Sequence, residues 1–597
     1  MSLLNATLRV STSVFSVAVV AMALLHDYGA FLVLTLAFAA SHAGAQIHFI
    51  SITSPLFDAS AQAMNLTNLS AEEAVSQLCS RNITAVQYAS ALLAKAHEWE
   101  CINAWSEVDA NRVLQEAQAV DHKYEQGQSI TPLCGLVYVM KDLYDVEGYQ
   151  TVAGTPALNG TSAQRNNSDY ARRLIEANGV VMGKTRMHEL AYGVTSINPV
   201  FGPVLNPYDV TKIPGGSSGG TGVALAARFA AGGSCTDTGG SCRIPASLNG
   251  VAGLRPTKGC YIAGDGVVPL STTRDTPGVM ARSVSDIAMF NKIFSTCNST
   301  LPSVNLSGYR IGYATNWWAD LGPETEGVFN RTLEAVKSAG GVLVPFNASG
   351  MVDYHDKYIG DSTFYTTELG GALSRYMWRH KYNTSFYQLA EEIASPVTKS
   401  TVLSTIINRN DSTFPTDADY FKIIQTYKPA LREKYIEYYN NYTFDIMCMP
   451  TTPATAPPIY SVEPYMLFRG QYLSNRVVLR RTAIIEATIG APGLSIPIGL
   501  ADDKMPVGFQ LQSRPGDDNL LLAVGAAIEK LIPATPPPPA PTCSGCSAIA
   551  GTQKATFNGT GQPANGQTTS VYTLNFAGNC SAKTTLASQL PLTAQSA

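Results

Sequence analysis

Two serines flanked by glycines are the residues of this chain whose type and setting best suit chemistry. Ser217 lies in Gly215-Gly216-Ser217-Ser218-Gly219-Gly220, and Ser241 in Asp237-Thr238-Gly239-Gly240-Ser241. Glycine lets another group approach the main chain closely and lets the backbone turn where other residues resist. A run of backbone N–H groups beside a hydroxyl is what an oxyanion hole requires. A serine hydroxyl is a poor nucleophile until a base takes its proton. Lys141 closes the short apolar run that begins at Cys134, and it supplies a candidate base. Lysine accepts a proton only when neutral, so its pKa must fall well below about 10.4. Burial behind an apolar run has that effect. Together the three residues point to a serine hydrolase with lysine in the role usually held by histidine.

The elements around these residues must position them. Gly/Ser clusters also make flexible linkers, but the flanks here are structured. Downstream of Gly220, residues 223–231 are apolar nearly all round, which marks a buried helix. Residues 134–141 and 179–183 read as short buried strands, rich in β-branched and apolar residues. Capping-box patterns begin at Ser70 and Thr84, and a third amphipathic helix is expected over 108–124. Helical patterns recur at 170–177, 325–339, 419–440 and 520–531, with strands expected at 444–449, 493–499 and 505–511. Strands alternating with helices predict an α/β fold, with a central mixed, largely parallel sheet covered by helices on both faces.

The 597 residues carry a net charge of −4, with 45% hydrophobic and 14% charged residues. No long basic block is present, so nucleic acid is not an expected partner. The N-terminus reads as a targeting segment over 1–45. Its two apolar runs, Val14 to Leu25 and Ala30 to Ala40, are each shorter than the roughly 20 residues that span a bilayer. Ala43-Gly44-Ala45 fits a small-x-small cleavage site. A cleaved signal peptide is expected, with a retained membrane anchor as the alternative. N-x-S/T sequons stand at Asn65, Asn68, Asn82, Asn159, Asn166, Asn298, Asn305, Asn330, Asn347, Asn383, Asn410, Asn441, Asn558 and Asn579. Behind a signal peptide they imply a secreted glycoprotein. Of the 11 cysteines, some should pair in an oxidising compartment, and the odd count leaves at least one free or paired between chains. Cys543-x-x-Cys546 has no second CxxC and no nearby histidine, so a disulfide involving Cys580 is expected there, not a metal. Residues 46–69 form a lead-in, 70–532 the main domain and 533–541 a proline-rich linker. The Thr/Gly/Asn-rich tail, 542–597, reads either as a small disulfide-pinned unit or as disordered.

The ordered set of segments GGSSGG, DTGGSCRIPA, 183–191, 201–208, 253–257, 450–453, 490–497 and 506–510 resembles the amidase signature family of serine amide hydrolases, over roughly residues 70–532. That resemblance implies a single large domain and an acyl-enzyme on Ser241. Ser217, in a cis peptide, would relay a proton to the base Lys141. The backbone N–H groups of Thr238, Gly239, Gly240 and Ser241 would hold the oxyanion, with Ser218, Asp237 and Arg243 in support. It implies no cofactor and no metal. The partner is a small-molecule or peptide amide.

Asp142 reads either as a partner of this network or as a helix cap. His188 and His355 read as structural. Cys242 is expected to pack or to pair with Cys235. The substrate is not legible; pocket walls are expected from 300–440, where Trp317, Trp318, Tyr376 and Trp378 lie. Two other functions fit a similar scaffold. A tRNA-dependent amidotransferase subunit conflicts with export, and a non-catalytic binding protein conflicts with the complete Lys141, Ser217 and Ser241 set.

Overall fold

The computed structural model of the protein describes the backbone of residues 9–12, 15–26, 29–39 and 49–54. From there it describes residues 66–541 apart from 159–165, 263, 319, 361, 404–415 and 460–464. The expected cleavage site and the tail 542–597, with Cys543, Cys546 and Cys580, lie outside the described residues. The chain forms two compact units, Met1–Asn68 and Leu69–Ala597. In the first, strands Arg9–Thr12, Phe15–His26, Gly29–Ala39 and Phe49–Ser54 pair in sequence order as an antiparallel meander. Among the described residues no helix is long and apolar enough to cross a membrane.

The second unit is built on an eleven-stranded sheet. Its strands are β1 (Trp105–Val108), β2 (Val137–Lys141), β3 (Val180–Thr185), β4 (Gly232–Asp237), β5 (Ala252–Arg255) and β6 (Thr276–Ala281), followed by β7 (Arg310–Ala314), β8 (Val342–Phe346), β9 (Ile446–Pro450), β10 (Gly493–Leu500) and β11 (Pro506–Gln512). They lie in the order β8-β7-β9-β11-β10-β5-β6-β4-β2-β3-β1. The α/β class and the mixed sheet are as expected. Parallel pairing holds within two blocks, β8-β7-β9 and β4-β2-β3. The strands between these blocks, and the edge strand β1, run antiparallel to their neighbours. Connection length explains the division. Helices Asp169–Glu176 and Pro323–Ser338 lie between β2 and β3 and between β7 and β8, as parallel crossovers require, whereas β10 and β11 are joined by a short turn.

Helices cover both faces. Side chains alternate across a strand, and on β10 the alternation shows what each face meets. A β-carbon at Gly525, in helix Asp518–Glu529, would lie 2.5 Å from Leu494. One at Gly493 would lie 3.0 Å from Arg243, in helix Arg243–Leu248. The even-numbered face of β10 therefore packs on one helix and the odd-numbered face on the other. A buried cluster including Val194, Ile197, Ile244, Leu248, Val478 and Leu479 joins helix Arg243–Leu248 to helix Asn475–Arg480. Both capping boxes are present, at Ser70 and Thr84.

Candidate active site

β2 delivers Lys141 at its last residue, fully buried. Its backbone N–H donates to Ser234 Oγ at 2.8 Å, which ties β2 to β4. Its Nζ donates to Ser217 Oγ and to Thr236 Oγ1, each at 2.8 Å. Burial pushes the ammonium down from its ordinary 10.5 to about 7, against the opposing pull of Asp275 and Asp237. The chain thus holds a lysine that is substantially neutral near neutral pH, in contact with a serine hydroxyl.

Ser217 follows a cis peptide bond from Gly216 and is fully buried. Its carbonyl accepts the N–H of His188 at 3.0 Å. Gly216 is required by close approach: a β-carbon there would lie 2.8 Å from the backbone of Val194 and Thr195. Ser218 donates its backbone N–H to the Ser241 carbonyl at 3.3 Å, so the two serine loops are pinned to each other. The expected support from the Ser218 hydroxyl is not made. That hydroxyl is buried and has no hydrogen-bond partner among the described residues; the link runs through the main chain instead.

Asp237, the last residue of β4, organises the next turn. Arg243 grips its carboxylate with Nε and Nη2, each at 2.9 Å, and Arg255 approaches to 3.5 Å. The N–H groups of Gly240 and Cys242 donate to the same carboxylate at 2.8 and 3.2 Å. Burial works to raise the Asp237 carboxyl, but Arg243, Arg255 and these hydrogen bonds outweigh it and hold it below the usual carboxylate range. Arg243 also contacts Glu486, and Gln510 at 3.1 Å. This corrects the expected oxyanion set. The Gly240 N–H is committed to Asp237, whereas those of Thr238, Gly239 and Ser241 have no acceptor among the described residues. Three donors therefore stand free beside Ser241.

Asp142 is neither a cap nor part of the serine network. It pairs with buried Lys184 at 3.3 Å and accepts from Ser106 Oγ at 2.9 Å. His188 is buried beside Thr195, and burial, helped by Arg476 and Lys141, holds its imidazole down at about 3. His355 lies on helix Ser349–Tyr358 against Asp356.

A pocket opens over Ser241, walled by Tyr192, Val194, Leu270, Tyr365, Arg476 and Arg480. Of these only Tyr365 comes from 300–440, so the expected source of the pocket walls is corrected. Trp378 is 81% exposed, and Tyr376 donates to Asp145 at 2.8 Å. The Tyr192 and Tyr365 rings meet edge to face with centres 5.5 Å apart, and the Arg476 guanidinium lies 4.2 Å above Tyr192. Arg480 donates Nε to the Gly239 carbonyl at 3.0 Å and Nη2 to the Tyr365 hydroxyl at 2.5 Å. Thr238 donates its hydroxyl to Asp275 at 2.6 Å. Sequence reasoning missed Tyr192, Asp275, Arg476 and Arg480. Only the tertiary fold brings residues so distant in sequence to the loop.

Comparison with known proteins accords with this geometry. The family model described as Amidase matches residues 87–522. An indoleacetamide hydrolase of Agrobacterium vitis is 31% identical over 463 residues, covering 77% of this chain and 96% of the relative. A mandelamide hydrolase of Pseudomonas putida is 31% identical over 494 residues, covering 80% and 94%. A crystal structure described as an amidase superposes with a TM-score of 0.67 at 27% identity, covering 78% of this chain and all of the other. Match and relatives alike span the region that holds both serine loops and the buried lysine, and on that ground the protein belongs to the amidase family as a hydrolase of amides.

Proposed function

We propose that the protein is a secreted serine amidase that cleaves a carboxylic amide through an acyl-enzyme on Ser241. The carrying observation is the buried Lys141–Ser217 hydrogen bond, 2.8 Å long, on a lysine brought down to about 7. Ser241 Oγ attacks the amide carbonyl and passes its proton to Ser217, whose own proton moves to Lys141. A hydroxyl suits that relay because it donates and accepts at once. The N–H groups of Thr238, Gly239 and Ser241 receive the oxyanion. Collapse returns a proton through Ser217 to the leaving nitrogen, and water then releases the acid by the same route. Ser241 and Ser217 are not hydrogen-bonded to each other in the free protein. Catalytic hydrogen bonds often tighten only when substrate arrives.

The substrate class we infer is a small aryl-substituted amide. The relatives named for indoleacetamide and mandelamide act on such compounds, and two aromatic residues, Tyr192 and Tyr365, line this pocket. Export is supported by the N-terminal apolar runs and by the sequons. Among the described residues Asn68, Asn82, Asn166, Asn298, Asn305, Asn330, Asn347, Asn383 and Asn441 are all exposed. The test is fluorophosphonate labelling together with a panel of indoleacetamide, mandelamide, fatty amides and peptide amides. Labelling should occur at Ser241 and disappear in Ser241→Ala, with the aryl amides turned over fastest. Folded wild-type protein that neither labels nor releases ammonia would overturn the mechanism. Faster turnover of fatty or peptide amides would overturn the substrate class alone. Expression in a eukaryotic secretory host should place the protein in the medium with a mass that falls on enzymatic deglycosylation; retention in the cell would sink the export reading.

A further inference from the structure

We propose that Cys235 and Cys242 form a disulfide that positions the oxyanion loop, so that full amidase activity requires this pair to be oxidised. The proposal rests on Ser241 being the nucleophile. Cys235 lies within β4 and Cys242 directly follows Ser241. The ring they close contains Thr236, Asp237, Thr238, Gly239, Gly240 and Ser241. It therefore holds the nucleophile, the three free N–H donors and the Thr236 hydroxyl that accepts from Lys141 at 2.8 Å. The two α-carbons stand 5.3 Å apart, within the range of a disulfide.

The neighbouring strands leave room for the pair. Gly278 on β6 lies opposite Cys235 in the ladder, and a β-carbon there would come within 2.9 Å of the Cys235 sulfur and 3.3 Å of the Cys242 sulfur. Gly253 on β5 faces the Cys242 sulfur in the same way, at 3.6 Å. Both cysteines are fully buried. The pair thus fills a niche between two glycines and ties the residue after the nucleophile back to its own strand. Asp237 holds the loop through Gly240, Cys242 and Arg243, and Arg480 holds it at Gly239. Among the described residues no side-chain hydrogen bond holds Ser241 itself, and its carbonyl accepts from the Ser218 N–H alone. The covalent tie at its neighbour is therefore the stiffest restraint on the nucleophile.

Opening the ring would let the three donors fan away from the oxyanion position. Hydrogen bonds weaken steeply as donor and acceptor lose alignment, and one oxyanion donor is worth about 10²–10³ in kcat. Forming the pair joins the two sulfurs. Two electrons and two protons pass to the disulfide of an oxidised protein dithiol, which leaves as two thiols. Such donors belong to oxidising compartments.

The test uses the full chain purified without reductant. Differential alkylation and peptide mass should find Cys235 and Cys242 joined. Cys235→Ala, Cys242→Ala and the double variant should each lose about 10- to 100-fold in kcat while KM stays within about twofold. Fluorophosphonate labelling of Ser241 should slow in parallel. A merely structural role would lower the melting temperature and the active fraction but leave the kcat of labelled sites unchanged. Titrating the wild type with a dithiol reductant, and following which cysteines become alkylated, needs no variant. Activity should track opening of this pair and not of Cys79–Cys134 or Cys260–Cys297, and it should return on reoxidation. Wild-type kcat in the folded double variant, or full activity with both thiols alkylated, would overturn the proposal. Absence of Ser241 labelling in the oxidised wild type would instead overturn the mechanism beneath it.

Discussion

Lys141, the base of the proposed mechanism, is buried with no carboxylate in contact among the described residues. Its Nζ hydrogen bonds go to two hydroxyls, and the pull of Asp275 and Asp237 offsets only part of the cost of keeping it charged. It must be neutral to accept a proton, so kcat/KM should rise with pH through about 7 and level off above it. Lys141→Ala should flatten that limb and lower kcat by about 10²–10⁴-fold, the usual worth of general-base assistance; a pH–rate profile of both proteins decides. The same shift has a stability consequence. Between about pH 7 and 10.5 the unfolded chain holds the lysine proton and the folded chain does not. Stability therefore rises with pH wherever the unfolded state binds more protons. Urea melts of wild type and Lys141→Ala across pH 7 to 10 should show the wild type gaining relative to the variant as pH rises. A constant gap would place the lysine pKa near its ordinary value.

At the scale of elements, two loops meet because each is anchored to the sheet by a different device. The Ser217 loop is threaded against Val194 and Thr195, where only glycine fits at 216. Gly216→Ala should cost about 1–3 kcal/mol, the range for overpacking, and should abolish turnover by displacing Ser217. Calorimetry with an activity assay checks both. The Ser241 loop is anchored ionically. Asp237 is buried between Arg243 and Arg255 and takes two N–H groups besides. Asp237→Asn leaves buried Arg255 without its carboxylate and Arg243 with Glu486 alone, which costs about 3–5 kcal/mol, measurable by urea denaturation. If stability is unchanged, the carboxylate is not the hub of the turn. Much at this scale was legible. The glycine clusters marked the loops, an apolar run marked the strand that carries Lys141, and the capping patterns at Ser70 and Thr84 marked helix starts, whereas β4, with the sequence GGSCTD, carries no apolar run. The parallel share of the sheet was less legible, because strand direction depends on which connections cross over and which turn back.

The whole molecule adds long-range ties. Cys79, at the end of helix Ala71–Cys79, and Cys134, in the turn before β2, stand with their α-carbons 5.3 Å apart, a disulfide spacing, across 55 residues of chain. Closing a loop of that length is worth about 4 kcal/mol in the chain-entropy account. The double variant Cys79→Ser with Cys134→Ser should lose about that much stability in chemical denaturation while the folded fraction keeps its kcat. An equal loss of kcat would mean that this tie, too, shapes the site. The Tyr208 hydroxyl donates to the Pro536 carbonyl at 2.8 Å, which fastens the proline-rich segment to the body of the domain.

The sequence by itself marked Lys141, Ser217 and Ser241 as candidate reacting groups, and its resemblance to the amidase signature family implied an amide as the bond they cut. A lysine behind an apolar strand and two serines in glycine loops are local patterns, and local patterns survive in one dimension. The tertiary structure decided which donors are free, what walls the pocket and what Asp142 does. The Gly240 N–H is not free because Asp237, held by Arg243 and Arg255, accepts it. Arg480 joins the site because helix Asn475–Arg480 packs on the helix that follows Ser241. A hydrogen bond's acceptor and a pocket's wall are set by which distant segments burial brings together, and no local pattern in the sequence encodes that choice.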